Sequence, residues 1–222
     1  MLQHYIYSAR YILSTILVSL LYIDFRIYSP LKEQIILGVD PGTSVTGFGL
    51  IKVEGKLLSL IEMGIIQTGK TDDHPLKLKK IFEGVLGIIE KHHPDAMAIE
   101  APFFGKNIQS MLKLGRAQGV AMAAAMYRNI PLCEYSPKKI KQSITGNGNA
   151  SKEQVSFMLQ SMLKFEGHPE YLDATDGLAA AVCHYLQNDL SKLQSSKTKK
   201  PVKKHTGWAS FLSENPDKII KK

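Results

Sequence analysis

Four acidic residues stand where their side chains could act together. Asp40 closes the apolar run "QIILGVD" and is followed at once by Pro-Gly and a Thr/Ser pair, while Glu100 closes the short run "AMAIE". Asp173 and Asp176 lie three apart at the head of "DATDGLAAAVCHYL", a spacing that puts both on one face of a helix. By residue type alone, Asp40 suits a metal ligand, a phosphate-binding turn or a simple cap. An acid in a first helical turn also complements the helix dipole, which accounts for Asp173 or Asp176 singly but not for the set. Two carboxylates held close repel unless a cation joins them. An oxygen-only donor set suits hard Mg²⁺ or Mn²⁺, and no zinc spacing occurs in the chain.

The elements that must position these acids follow from periodicity. "QIILGVD" reads as a strand buried on both faces. "VTGFGLIKV" and "KLLSLIEMGIIQTG" follow it around a Glu54-Gly55 hairpin, giving three antiparallel strands. Pro75 opens a helix with Leu78, Ile81, Phe82, Val85, Ile88 and Ile89 at helical spacing, and Pro94 ends the run. "AMAIE" is a fourth strand, "NIQSMLKLGRAQGVAMAAAMYRN" a small-residue helix, and "PLCEY" a fifth strand. Two further helices are expected, from near Ser151 and near Asp173. This order predicts an α/β fold with a mixed five-stranded sheet, three strands antiparallel and then two parallel, flanked by helices. Right-handed crossovers would set the fourth strand beside the first, so that Asp40 and Glu100 leave the same carboxyl edge of the sheet.

The 222 residues suit one domain with tails and argue against a larger two-domain kinase. The formal charge is +8, but residues 192–222 hold nine Lys against Glu214 and Asp217, so the body is close to neutral. Any grip on an acidic polymer must come from local basic patches. "YILSTILVSLLYI", residues 11–23, is an apolar stretch too short for the roughly 20 residues of a membrane span, so residues 1–33 are expected to lie outside the fold and no membrane association is expected. The domain is expected over 34–190, with a disordered Lys-rich tail, including Trp208, over 191–222. Cys133 and Cys183 lie in apolar segments outside any C-x-x-C pair and read as buried free thiols, consistent with a reducing cytoplasm.

The motifs "GVDPGTSVTGFG", "AIE" with "PFFGKN" and "LKLGRAQGV", "YSPKKIKQSITGNGNASKEQV" and "DATDGLAAAVCH" together resemble the RuvC family of Holliday junction resolvases, within the RNase H-like superfamily, over roughly Gln34 to Gln187. The resemblance implies a crossover junction endodeoxyribonuclease that makes paired symmetric nicks in four-way junction DNA during recombination and repair. It implies two Mg²⁺ ions per subunit, replaceable by Mn²⁺, held by Asp40, Glu100, Asp173 and Asp176, with 5′-phosphate and 3′-hydroxyl products. It also implies a homodimer packed partly through the small-residue helix, and RuvA-like and RuvB-like branch-migration partners. Phe103 would stack on bases opened at the crossover, and Lys141 and Lys152 would hold the phosphate near the scissile bond.

Each of these residues also has a plainer reading. Phe103 and Phe104 suit a core, and Lys138, Lys139, Lys141 and Lys152 suit a solvated, flexible basic loop around Gly-Asn-Gly-Asn. Ser151 and Gln154 have capping-box spacing, Gly115, Gly119 and Ala123 suit ordinary helix packing, His92-His93 a helix end, and His184 a packed position. Two rival functions stand beside the nuclease. "DPGTS" fits the first phosphate loop of the ATP-binding actin, Hsp70 and sugar kinase group, but no second Asp-Gly hairpin or Gly-Gly adenosine segment follows. A catalytically idle junction-binding protein would have no physical reason to keep four mutually repelling acids.

Overall fold

A computed structural model describes residues 33–102, 107–165 and 172–197, with only the backbone course for 189–197. The chain divides into two compact units, Met1–Leu186 and Gln187–Lys222. Of the second, only the helical residues through Lys197 are described. Three sequence expectations lie wholly or mostly outside the described residues: the extension expected over 1–33, of which only Glu33 is described and belongs to the first strand; Phe103 with Phe104; and the tail expected to be disordered over 191–222, with Trp208, of which residues 191–197 are instead the end of the last helix.

The elements run β1 (Glu33–Asp40), β2 (Val45–Glu54), β3 (Leu57–Gln67), α1 (His74–His92), β4 (Ala96–Glu100), α2 (Ile108–Tyr127), β5 (Leu132–Tyr135), α3 (Pro137–Thr145), α4 (Lys152–Leu163) and α5 (Leu172–Lys197). The sheet order is β3-β2-β1-β4-β5. β1 pairs antiparallel with β2 and parallel with β4, and β4 pairs parallel with β5, as the sequence predicts. The β2–β3 hairpin turns on Gly55-Lys56, with Gly55 at φ +64° where a two-residue turn needs a left-handed first position.

Alternation along the buried strands divides the core in two. Ile36, Ile51, Val53 and Ala98 face α3, α4 and α5, packing on Ile140, Val155, Leu159 and Leu178. Leu37, Val39, Leu50, Met97 and Ile99 face α1 and α2, packing on Ile81, Val85, Ile89 and the alanines of α2. With helices on both faces, β1 can be apolar almost throughout.

One helix departs from the sequence expectation. "SPKKIKQSIT" suggests a flexible basic loop, but Ser136 caps Lys139 N–H, Pro137 sits in the first turn, and Gly146 closes α3 in the left-handed conformation at φ +76°. The start and stop signals are present in the sequence; the density of lysines masks the Ile140 and Ile144 pair that anchors the inner face. Three helices, not two, therefore follow β5. Cys133 corrects a second expectation: Cys183 is buried, but Cys133 is only partly so, because β5 is the sheet's edge strand.

Most other local readings stand. Ser151 and Gln154 form a reciprocal capping box at the head of α4. His93 ends α1 in the left-handed conformation at φ +48°, and His92 Nε2 lies 2.7 Å from Glu62 Oε2. Buried His184 meets the Tyr135 hydroxyl through Nδ1 at 2.9 Å, and burial pulls its pKa down. The reading of Gly115 and Gly119 as ordinary helix packing does not stand: in α2 the buried small residues are Ala117, Ala121, Ala124 and Ala125, and a Cβ added at Gly115 or Gly119 would meet open space. This helix has two small faces, and the glycines lie on the outward one.

Candidate active site

The parallel register pairs Val39 with Ile99, so the next residues, Asp40 and Glu100, leave adjacent strand ends together. Neighbouring strands sit about 4.8 Å apart, which brings two carboxylates to one edge before any helix is considered.

The helical acids reach that edge because α5 lies flush on the sheet. A Cβ built on Gly38 would fall 2.1 Å from the Gly177 carbonyl oxygen, one on Gly47 would fall 1.8 Å from that of Asp173, and one on Gly49 would fall 2.5 Å from the Leu178 Cα. From the helix side, a Cβ on Gly177 would fall 2.6 Å from the Phe48 Cα. Only glycine permits such contact between backbones. These four glycines are positioning residues that sequence reasoning missed. Their alternation in "GVDPGTSVTGFG" and the Gly that follows Asp176 were the available signal.

Asp40, Glu100 and Asp176 line one pocket of about 210 Å³ together with Lys141, Lys152, Ile140 and Val155. Asp173 stands one helical turn earlier and joins the group through Lys152, whose Nζ lies 2.5 Å from Asp176 Oδ2 and 3.8 Å from Asp173 Oδ1. Thus α3 contributes Lys141 to the pocket wall and α4 contributes Lys152. Lys138 and Lys139, also on α3, do not line it. Among the described residues, no three His, Cys, Asp or Glu side chains are drawn tightly enough to hold an ion in this arrangement.

The electrostatics are those of acids lacking sufficient countercharge. Burial pushes the Asp40 carboxyl from 3.8 to about 6, with the Asp176 and Asp173 charges adding and Lys152 opposing. Burial likewise pushes Glu100 from 4.5 to about 8, aided by Asp40 and Asp176. Asp176 is raised mainly by burial, against the hydrogen bond from Lys152. For Lys152, burial pulls the pKa down, but its bond to Asp176 and the surrounding acid charges more than offset that and leave it raised. Lys152 and Lys141 both oppose the rise, but two ammonium groups do not neutralise four carboxylates. The all-oxygen donor set and its excess negative charge fit a divalent cation, for which Asp40, Glu100, Asp173 and Asp176 are the available ligands.

Comparison with known proteins agrees with this geometry. The family model described as crossover junction endodeoxyribonuclease RuvC matches residues 36–184. A protein of that description from Christiangramia forsetii is 59% identical over 188 residues, covering 85% of this chain and 94% of its own. Another from Bacteroides fragilis is 56% identical over 192 residues, covering 86% and 98%. Among solved structures, Thermus thermophilus RuvC in complex with a Holliday junction substrate aligns with a TM-score of 0.67 at 28% identity, over 71% of this chain and 96% of that one. The yeast mitochondrial Holliday junction resolvase shares the fold, with a TM-score of 0.55 at 18% identity over 72% and 82%. With the match extending from within β1 into α5, this chain belongs to the RuvC family of crossover junction endodeoxyribonucleases, which cut DNA by metal-dependent catalysis.

Proposed function

We propose that this chain resolves four-way DNA junctions by paired symmetric phosphodiester hydrolysis. The observation that carries the reading is the convergence of Asp40, Glu100 and Asp176, from two strand ends and a helix, on one pocket walled by two lysines. Asp40, Glu100, Asp173 and Asp176 would hold two Mg²⁺ ions, with Mn²⁺ as a substitute. Such ions supply an activated water for in-line attack and stabilise the leaving 3′ oxygen. The chain's own part is to bind and orient. Lys141 and Lys152 present ammonium groups to the phosphate oxygens, the capping box and α3 hold those lysines at the pocket rim, and Phe103 stacks on an opened base. The products are a 5′-phosphate and a 3′-hydroxyl.

The catalytic domain in this reading spans residues 34–190, with 1–33 and the Lys-rich 191–222 outside it. The close of the first compact unit at Leu186 supports the C-terminal limit to within about a helical turn. The working assembly is a homodimer whose twofold axis matches the junction's two symmetry-related strands. The outward stripe of α2, with Ile108 71%, Leu112 52% and Met126 58% exposed around Gly115 and Gly119, supports an interface there. In this reading the protein works in the cytoplasm with RuvA-like and RuvB-like proteins. Among the described residues no helix is long and apolar enough to cross a membrane.

A labelled four-way junction incubated with the protein and Mg²⁺ tests the reading. Paired nicks at symmetric positions are expected, while Asp40→Asn binds the junction and leaves it whole. A wild-type chain that leaves junctions intact would refute it.

A further inference from the structure

The acid pocket opens on the face covered by α3, α4 and α5. On the opposite face, the loop that leaves Asp40 borders a second, polar cavity of about 390 Å³. Its walls are Thr43 and Ser44 of the β1–β2 loop, Asp72, His74 and Lys77 at the start of α1, and Ser110 and Lys113 in the first turns of α2.

The cavity presents donors. Its one carboxylate, on Asp72, is already engaged at 2.6 Å by Lys80 Nζ and at 2.6 Å by the Gly69 N–H. Lys77 and Lys113 enter no ion pair among the described residues. Buried Thr68 fixes the loop by donating its hydroxyl to the Thr43 and Ser44 carbonyls, at 2.9 and 3.2 Å, and its N–H to Ser44 O at 3.0 Å. That arrangement holds the loop in place through its carbonyl oxygens. His74 Nε2 is shut off from solvent and has no hydrogen-bond partner. Residues from the first turns of α1 and α2 line the cavity; the α1 terminus is already met by the Asp73 carboxylate, while α2 is capped by the neutral Asn107 and keeps its positive end. Two ammonium groups without an ion pair among the described residues, of which Lys77 also acts on the Asp72 carboxylate, three hydroxyls and the α2 start around a cavity of this size suit a tetrahedral oxyanion.

We infer that this cavity is a second phosphate site, in which Lys77 and Lys113 grip a non-scissile backbone phosphate of the bound DNA. The inference rests on the nuclease reading for its ligand. A duplex arm carries one charge per roughly 1.7 Å of axis, so an arm seated at the acid pocket lays further phosphates along the same sheet edge. The site would position the junction without touching the reacting atoms.

The test uses the full chain and a fluorescent four-way junction, with Ca²⁺ replacing Mg²⁺ for binding and Mg²⁺ restored for cleavage. The double variant Lys77→Gln/Lys113→Gln should weaken binding roughly tenfold near physiological salt. It should also lower the slope of log affinity against log salt by about 1, with kcat at saturating junction unchanged. Ser110→Asp places a carboxylate in the first turn of α2, where it suits the helix dipole. Its melting temperature should hold or rise while junction binding falls, an outcome a purely structural role would not give. Unchanged affinity and salt slope in both proteins would overturn the proposal. If inorganic phosphate then shifted the His74 imidazole NMR signals, the cavity would belong to a small free anion instead; with no shift, it would bind no anion. Failure of the nuclease reading shows separately, as wild-type protein that does not nick the junction.

Discussion

Glu100→Gln should make the metal-free protein more stable while abolishing cleavage. Burial beside Asp40 and Asp176 pushes the Glu100 carboxyl from 4.5 to about 8. A carboxyl with a raised folded pKa retains a proton that the unfolded chain sheds, so stability present below about 4.5 is lost as pH rises through about 8. Taken at face value at pH 8, the shift is worth ~4 kcal/mol. Glu100 is only partly buried and screened by water, so about half of that, ~2 kcal/mol, is the expected cost of its charge. Gln keeps the shape without the charge, and in a domain of this size ~2 kcal/mol corresponds to a melting temperature about 4–8 °C higher. Thermal melts in chelator from pH 5 to pH 9 measure this directly. The variant should melt well above wild type at pH 8 and nearly with it at pH 5, and added Mg²⁺ should raise the wild type far more than the variant. A variant that melts at or below wild type at pH 8, or a gap that does not narrow at pH 5, would refute the claim that the site is charge-strained until a cation enters.

The same electrostatics make Lys152 the provisional countercharge of the cluster. Lys152→Met should lower the melting temperature in chelator by roughly 2–4 °C, about 1 kcal/mol, yet tighten Mn²⁺ binding several-fold by calorimetry, because the ion no longer displaces an ammonium. Unchanged Mn²⁺ affinity would show that Lys152 serves phosphate alone. If the proposed dimer packs through the outward stripe of α2, Leu112→Lys combined with Gly119→Lys should convert it to monomer in sedimentation and turn paired nicks into uncoupled single ones, leaving helix content intact. A variant that remains dimeric would move the interface elsewhere.

The signals that could be read along the chain were those with short-range causes. Apolar alternation marked the hairpin, whose turn falls on Gly55-Lys56, one residue after the expected Glu54-Gly55; Pro75 and Pro94 bracketed α1, and Ser151 with Gln154 marked the head of α4. Right-handed crossover chemistry extended this to the neighbouring of β1 and β4, and so to Asp40 beside Glu100. The lysines of α3 misled, since their charge hid a short amphipathic helix whose inner face is only Ile140 and Ile144.

The residue types themselves determined that four carboxylates would need a cation and that oxygen chemistry would be hard-metal chemistry. What only the tertiary structure decided was distance. Gly38, Gly47, Gly49 and Gly177 let a helix backbone rest on a strand backbone, and that approach, not any local propensity, carries Asp173 and Asp176 to Asp40. Packing of other elements put Lys152 between the acids and gathered Thr43, Lys77 and Lys113 around one cavity. Close approach is a property of pairs of surfaces far apart in the chain, and no window of the sequence contains both of them.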